Sequence, residues 1–561
     1  MHAALQDYPP TAYVQDSQTV GSGMLSRYRT PILLSVVLVL AAVVISRGIS
    51  KGEFNVNIDE AYDATTGLYV ADFIRDLPLS LVHPVQYTYA YYAQYPALGL
   101  IHWPPFFHFV EGLMFLIFGP SVVTARIAVL LFALFGLFFW FKLVAALQNE
   151  WTATVCAIVL SCLPAVLLYE KAVMLEVPSL TLSIAASYFW LQYLDQAKSE
   201  SLYWCSVFAG LALLTKQQGV YLALFFLLSA LGLGKWRELL SRPILWAAGI
   251  VLAIVGPFYV LELSVDRQSI AANILQGVDR VPPNRFTYYL QALPQELGWV
   301  LLALSILGIL LCWRYAKRRS FIFMSAWIAA WYLTYFVIST KQTRYMVYWL
   351  PPYIFFAVAP LTSHVLPRLA RIGAAAVALA LVCGYVWAGW HYERPYIVGY
   401  KALAEEVLNR DKGGIVLFDG DLEGNYIFFM RALDPQRRFV VLRKALYATR
   451  VMPQFGSVEL VHSSDDVENI LEQYGIKYVA VESNEPLRFN SQKILRDLLA
   501  TSQFKLVSSA PIESNLSEWK SRSLLLYENL QVKPRTAREL RLTMLSMSHD
   551  IVISLDDFPK R

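Results

Sequence analysis

The chain has 561 residues, 57% of them hydrophobic and 16% charged, with a mean hydropathy of +0.45 and a formal net charge of +5. That balance excludes an ordinary soluble globular protein, and several apolar runs reach the ~20 residues that cross a hydrocarbon core. The basic excess is what the cytoplasmic loops of any multi-pass membrane protein carry. The sequence holds no nucleic-acid signature, no Walker or dinucleotide fingerprint and no Ser-His-Asp arrangement in useful context.

The polar stretch 1–28 runs into "PILLSVVLVLAAVVIS" without a small-residue cleavage site. It reads as a cytoplasmic tail (1–30) followed by an uncleaved signal anchor. Spans are predicted at 31–47, 122–146, 151–169, 177–194, 202–215, 217–234, 243–262, 296–315, 320–339, 345–363 and 370–390. The segment 104–119, "PPFFHFVEGLMFLIFG", decides the orientation of everything after it. If it lies in the interface, Arg27, Arg29, Lys142, Lys198, Lys235, Arg237, Arg242, Arg314, Lys317, Arg318, Arg319, Arg368 and Arg371 all fall inside. If it spans, the clusters "GKWRELLSR" and "WRYAKRR" face out. It is therefore expected as an interfacial helix, with His108 and Glu111 on its wetter side. The N-terminus is then inside and the C-terminus outside.

Three outer regions follow from this topology. The loop from Gly48 to Ser121 is rich in aromatics suited to the headgroup layer, "YEKAVMLEVP" (169–178) is short, and Leu263 to Gln295 is expected as a mobile cover. The five cysteines, Cys156, Cys162, Cys205, Cys312 and Cys383, lie in apolar runs and read as small buried hydrophobes. After Tyr392, short β-rich runs such as "GGIVLFDG" and "IKYVAVES" predict a small α/β domain over 392–561, behind a membrane module of 31–391. The fold class expected is thus a polytopic α-helical membrane protein of about eleven to thirteen spans. It carries interfacial helices in its first outer loop and a small C-terminal α/β extracytoplasmic domain.

Asp59 and Glu60 sit just past the first span, in "FNVNIDEAYD". Glu170, Lys171 and Glu176 tip the next outer loop, and Lys216, Lys341 and Arg344 lie at the outer ends of later spans. Any one of these alone is an ordinary interfacial charge. Together they supply what group transfer from a phosphate leaving group needs: a carboxylate to take the acceptor's proton, and cations or a metal to neutralise the leaving charge. "FDGDLEGN", with Asp419, Asp421 and Glu423, reads as an acidic turn after a strand. A calcium loop would require Glu where Met430 stands.

The ordered set resembles the GT-C membrane glycosyltransferases, in the branch of protein O-mannosyltransferases and the aminoarabinose transferase of lipid A. The acid pair Asp59/Glu60 is similar to that branch's first-loop motif. "WPPFFHFVEGLMFLIFGPSVVTAR" resembles its Pro-Pro helix, Phe-Gly turn and following Arg, here Pro104, Pro105, Phe118, Gly119 and Arg126. "YEKAVMLEVP", "LLTKQQG" and "STKQTRYMVYWLPP" resemble later segments. The chain departs by carrying Glu176 for the usual Asp, Lys171 for Arg, and His102-Trp103 where Lys often precedes the prolines.

The resemblance implies a sugar donor on a polyprenyl phosphate and an acceptor lipid, glycan or protein, used at the extracytoplasmic face of an inner or plasma membrane. It implies Asp59 as base, Glu60 and Glu176 as further catalytic acids, and Lys171, Lys216, Lys341, Arg344 and Tyr345 around the donor phosphate. His102 and Arg126 are candidate substrate contacts. A divalent metal on Asp59 and Glu176 is the candidate cofactor. A transporter or flippase is the competing class, but it would place ionisable residues near the midplane, and few lie deep in the predicted spans.

Overall fold

A computed structural model of the chain describes residues 20–55, 57–100, 103–265, 286–315, 318–338, 340–363, 367–449, 456–545 and 550–556. His102 and most of the expected cover between Leu263 and Gln295 lie outside the described residues. In chain order the first helices are α1 (Val20–Ser46), α2 (Ile58–Arg75), α3 (Leu79–Val82), α4 (Pro84–Gln94), α5 (Phe106–Phe118), α6 (Val122–Leu147), α7 (Glu150–Cys162) and α8 (Pro164–Glu170). Then come α9 (Glu176–Gln196), α10 (Ser199–Leu213), α11 (Tyr221–Gly232), α12 (Trp236–Leu239) and α13 (Arg242–Val265). The helical part closes with α14 (Tyr288–Leu297), α15 (Trp299–Tyr315), α16 (Arg318–Val337), α17 (Leu350–Val358) and α18 (Arg368–His391).

Each of the eleven stretches predicted as spans carries a helix among its described residues. By length and composition, five helices among the described residues can cross a membrane, or seven if each bent pair is one crossing. The bends have local causes. Between α7 and α8, a 67° bend falls where Leu163 is extended and Pro164 opens the next helix without an N–H to donate. Between α14 and α15, a 112° bend turns on Gly298 at φ +79, a backbone that glycine adopts without a Cβ clash. Four cysteines are buried, Cys383 on α18 is exposed, and none is paired.

Helix α5 corrects one expectation. His108 and Glu111 are fully buried rather than on a wet side. The reason is its partner: α5 packs along α2, and glycines bring the two backbones together. A Cβ on Gly67 would sit 2.2 Å from Glu111 Oε2, and one on Gly112 would sit 3.0 Å from the Gly67 carbonyl.

The C-terminal part is α/β. Its helices are α19 (Tyr400–Arg410), α20 (Glu423–Leu433), α21 (Ser464–Tyr474) and α22 (Asn490–Leu499). Its first strands are β1 (Ile397–Val398), β2 (Gly414–Asp419), β3 (Phe439–Leu442), β4 (Tyr447–Thr449), β5 (Ser457–Glu459) and β6 (Tyr478–Glu482). The last are β7 (Phe504–Pro511), β8 (Glu513–Ser514), β9 (Ser523–Asn529), β10 (Glu539–Leu542) and β11 (Ile551–Ser554). The main sheet runs β3-β2-β6-β9-β7, parallel across β3-β2-β6 and antiparallel beyond. The β6 run "YVAVE" is buried throughout, as strands covered on both faces are.

This domain grips the segment between α1 and α2, and α2 itself. The Glu53 carboxylate accepts the N–H groups of Gly399, Tyr400 and Lys401 at 2.9–3.1 Å, capping the start of α19. Phe54 packs edge-on to Phe428 at 5.0 Å. Arg431 on α20 forks onto Asp72 of α2 at 2.6 and 2.8 Å. So the helix that opens with Asp59 is docked at its far end on the α/β domain.

Candidate active site

Helix α2 starts where it does because Asn57 caps it: its side chain accepts the Asp59 N–H at 3.1 Å. Asp59 and Glu60 then fill the first turn, where the helix dipole favours acids. The two diverge at once. Asp59 points to Arg344 and makes an ion pair with its Nη1. Glu60 turns inward, fully buried, and accepts the backbone N–H groups of Asn55 at 2.5 Å and Val173 at 3.0 Å.

Glu176 opens α9 and is fully buried. Its Oε1 takes Lys216 Nζ and lies 3.7 Å from Arg344 Nε. Lys216 follows α10, with its ammonium 5.2 Å from the centre of the Trp103 ring. Arg344 lies in a 3₁₀ turn, Thr343–Tyr348, which aromatic side chains hold in place. Trp327 Nε1 donates to the Tyr348 carbonyl at 2.9 Å, and Trp331 stacks between Tyr335 and Trp349. The Tyr345 ring centre lies 5.6 Å from the Arg344 guanidinium. Burial works against the Arg344 charge, but Glu176 and Asp59 outweigh it and hold the guanidinium well above its ordinary pKa.

Four segments distant in sequence therefore meet in an alternating set, Asp59–Arg344–Glu176–Lys216. Asp59 and Arg344 keep 18% and 12% of their side chains exposed, so the set opens at that end. It can offer a carboxylate to an incoming proton donor and two cations to an anion.

The structure separates other expected members from this set. Lys171 donates to the Arg47 carbonyl at 3.1 Å, at the end of α1, with Glu170 beside it. Lys341 bonds the carbonyls of Tyr335 and Phe336 and so caps the C-terminal turn of α16. Arg126 is 1% exposed and spends its guanidinium on the carbonyls of Ile49 and Glu53, 3.7 Å from Glu60. It is a clamp on the first loop, not a substrate contact. Glu60 shares that clamp.

Asp59 and Glu176 do not fit as a metal pair. Both address one guanidinium, and Lys216 adds a second positive charge on Glu176. Arg344 and Lys216 already supply the positive charge that a dication would bring to this pair. Sequence reading missed Asp63, which lies one turn past Asp59 with Glu176, Lys216 and Arg344 around it. The i, i+4 spacing on one helix was the available signal.

Comparison with known proteins bears on the fold. The family model described as dolichyl-phosphate-mannose-protein mannosyltransferase matches residues 102–260. The crystal structure of ArnT from Cupriavidus metallidurans bound to undecaprenyl phosphate is similar with a TM-score of 0.59 at 15% identity, covering 92% of this chain and 100% of that one. The apo state of the same protein gives 0.57 at 16% identity, covering 91% and 98%. The arabinofuranosyltransferase AftD from Mycobacteria gives 0.52 at 12% identity, covering 91% of this chain and 40% of that one. No curated protein matches the chain. The fold is the polytopic GT-C fold of membrane glycosyltransferases.

Proposed function

We propose that this chain is a glycosyltransferase that moves a sugar from a polyprenyl-phosphate donor to an acceptor hydroxyl or amine at the outer membrane surface. The observation that carries the reading is the alternating set Asp59–Arg344–Glu176–Lys216, open at the Asp59 end. Its likeness in fold to ArnT, whose crystal structure holds undecaprenyl phosphate, supports a lipid-carried donor. The outer face follows from the basic residues of the alternate loops. Cytoplasmic nucleotide sugars do not reach that side.

The donor phosphate competes for Arg344 and Lys216, and charge-assisted hydrogen bonds hold it at the headgroup level. Asp59, released in part from Arg344, takes the acceptor's proton. The acceptor's electron pair forms the new bond to the anomeric carbon as the carbon–oxygen bond to phosphate breaks. That pair leaves with the phosphate, whose growing charge Arg344 and Lys216 absorb. Attack opposite the leaving group inverts the anomeric centre. Glu176 keeps both cations in place between turnovers.

The test is incubation of the purified protein with a panel of polyprenyl-phosphate sugars, following transfer or donor hydrolysis. Wild type consumes at least one donor, and Asp59→Asn loses ~10²–10⁴-fold of that rate, the usual worth of a positioned base. A folded Asp59→Asn and a folded Glu176→Gln that both match wild type would remove the assignment.

A further inference from the structure

Behind Asp59 lies a row of buried polar groups that the transfer chemistry above does not use. Asp63 is 2% exposed and lies one turn along α2. Its Oδ1 is 3.8 Å from His108 Nε2, and His108 Nδ1 is 3.9 Å from Glu111 Oε2. His108 and Glu111 are one turn apart on α5, and both are fully buried. Asp63 Oδ1, both His108 nitrogens and both Glu111 oxygens have no hydrogen-bond partner.

Buried polar atoms are nearly always paired, and leaving one unmade costs about 1–3 kcal/mol. Five in one row, starting at the reactive cluster, is not what packing selects, since apolar residues of similar volume would hold α2 on α5 as well or better. The gaps are also short. A shift of about 1 Å, or a bridging water, turns each into a hydrogen bond.

We propose that Asp63, His108 and Glu111 form an inward proton path that receives the acceptor's proton from Asp59 during transfer. This rests on the reading of Asp59 as the base. The acceptor's proton passes to the Asp59 carboxylate as the glycosidic bond forms, and from there to Asp63, which shares it with His108 Nε2. Glu111 accepts the Nδ1–H through its carbonyl oxygen and so fixes the imidazole tautomer. Asp59 regains its charge and its pair with Arg344 while the phosphate departs. After product release the proton returns to solvent through Asp59, the exposed end.

The surrounding charges suit these roles. Burial, Asp59 and Glu176 raise the pKa of Asp63, while Lys216 and Arg344 oppose them, so its carboxylate takes up a proton more readily than an ordinary aspartate. Burial, Asp63 and Glu60 all raise Glu111, which favours its protonated form. Burial lowers His108 to about 3, leaving a neutral imidazole that donates and accepts at once.

Steady-state kinetics on the donor that wild type uses test the path, with Asp63→Asn, His108→Gln and Glu111→Gln. Asp63→Asn is expected to lose ~10²-fold in kcat and His108→Gln ~10-fold, at the lower edge of acid–base effects. KM for the donor and binding of undecaprenyl phosphate stay within about twofold, and the acid limb of the kcat–pH profile moves. Unchanged kcat and pH profile in Asp63→Asn and His108→Gln overturn the path. So does loss of lipid binding in step with kcat, which marks a packing role. If Asp63→Asn does not fold, His108→Gln and Glu111→Gln decide alone. A wild type inert toward every donor instead removes the transferase reading itself.

Discussion

Helix α2 carries an acid cluster at each end, and they differ in how fully they are satisfied. At the C-terminal end, Asp72 accepts from Arg431 at 2.6 and 2.8 Å, Arg75 at 2.7 Å, Tyr91 at 2.8 Å and Arg437 at 3.1 Å. Arg437 also reaches Asp76 at 2.6 Å. At the N-terminal end, Asp59 has Arg344, and behind it Asp63 Oδ1 and Glu176 Oε2 have no hydrogen bond at all. A buried carboxylate with both oxygens filled, as in Asp72, fixes a shape. An unsaturated one keeps capacity for protons and anions. The same helix is thus anchored at one end so that the other can be kept reactive.

The largest effect should come from breaking the anchor. Arg431→Met leaves Asp72 buried with part of its charge uncompensated, at a cost of ~3–5 kcal/mol. Thermal unfolding in detergent should show a clear loss, with protease sensitivity appearing in the C-terminal domain. A variant as stable as wild type would mean that the domain is held elsewhere.

Next comes the reactive end. Arg344→Met should cost ~10²–10³-fold in transfer, the usual worth of a donor that meets developing charge. Stability should change little by comparison, because Glu176 keeps Lys216. The contrast is the informative part: Arg431→Met read by stability, Arg344→Met read by rate. A variant of Arg344 that lost stability and not rate would reverse the roles assigned to the two ends.

Much of this was legible in the sequence because it depends on local pattern. Apolar runs located the helices, and the shift after Tyr392 located the α/β domain. Asp59, Glu176, Lys216 and Arg344 stood out because each falls at or beside the end of an apolar or helical run. What failed shares one cause: a side chain's direction is set by tertiary packing. Lys171 and Lys341 spend their charge on helix-end carbonyls. Arg126 looked like a substrate contact and holds a loop. His108 and Glu111 looked wet because nothing in the sequence says that Gly67 and Gly112 let α5 close on α2. The contacts of Glu423 with Tyr62 and Arg443 were equally hidden, since "FDGDLEGN" reads as a plain turn.

A smaller effect is expected from pH, at a third acid group. Asp421, Glu482 and Glu485 lie together at the C-terminal ends of β2 and β6, ringed by Arg488, Arg496 and Arg522. Burial raises Glu482 from 4.5 to about 7, against hydrogen bonds from Leu422 and Tyr400. The folded domain therefore holds a proton that the unfolded chain has already released. That contribution is complete below pH ~4.5 and is lost as pH rises through ~7. The melting temperature should fall by a few degrees between about pH 5 and pH 8, and Glu482→Gln should flatten the slope. A slope unchanged in that variant would place the titration on other groups.

The smallest effect distinguishes membership of the reactive set from mere proximity. Lys341 is two residues before the turn that carries Arg344, yet it caps α16 through the carbonyls of Tyr335 and Phe336. Such a cap is worth ~0.3–1 kcal/mol, and less when the end is held by packing, as Trp331 and Tyr335 hold this one. Lys341→Ala should therefore keep transfer within about threefold of wild type and leave KM for the donor unmoved. A rise in KM approaching that of Arg344→Met would put Lys341 on the phosphate. The helix-end contact would then be a resting position that donor binding abandons.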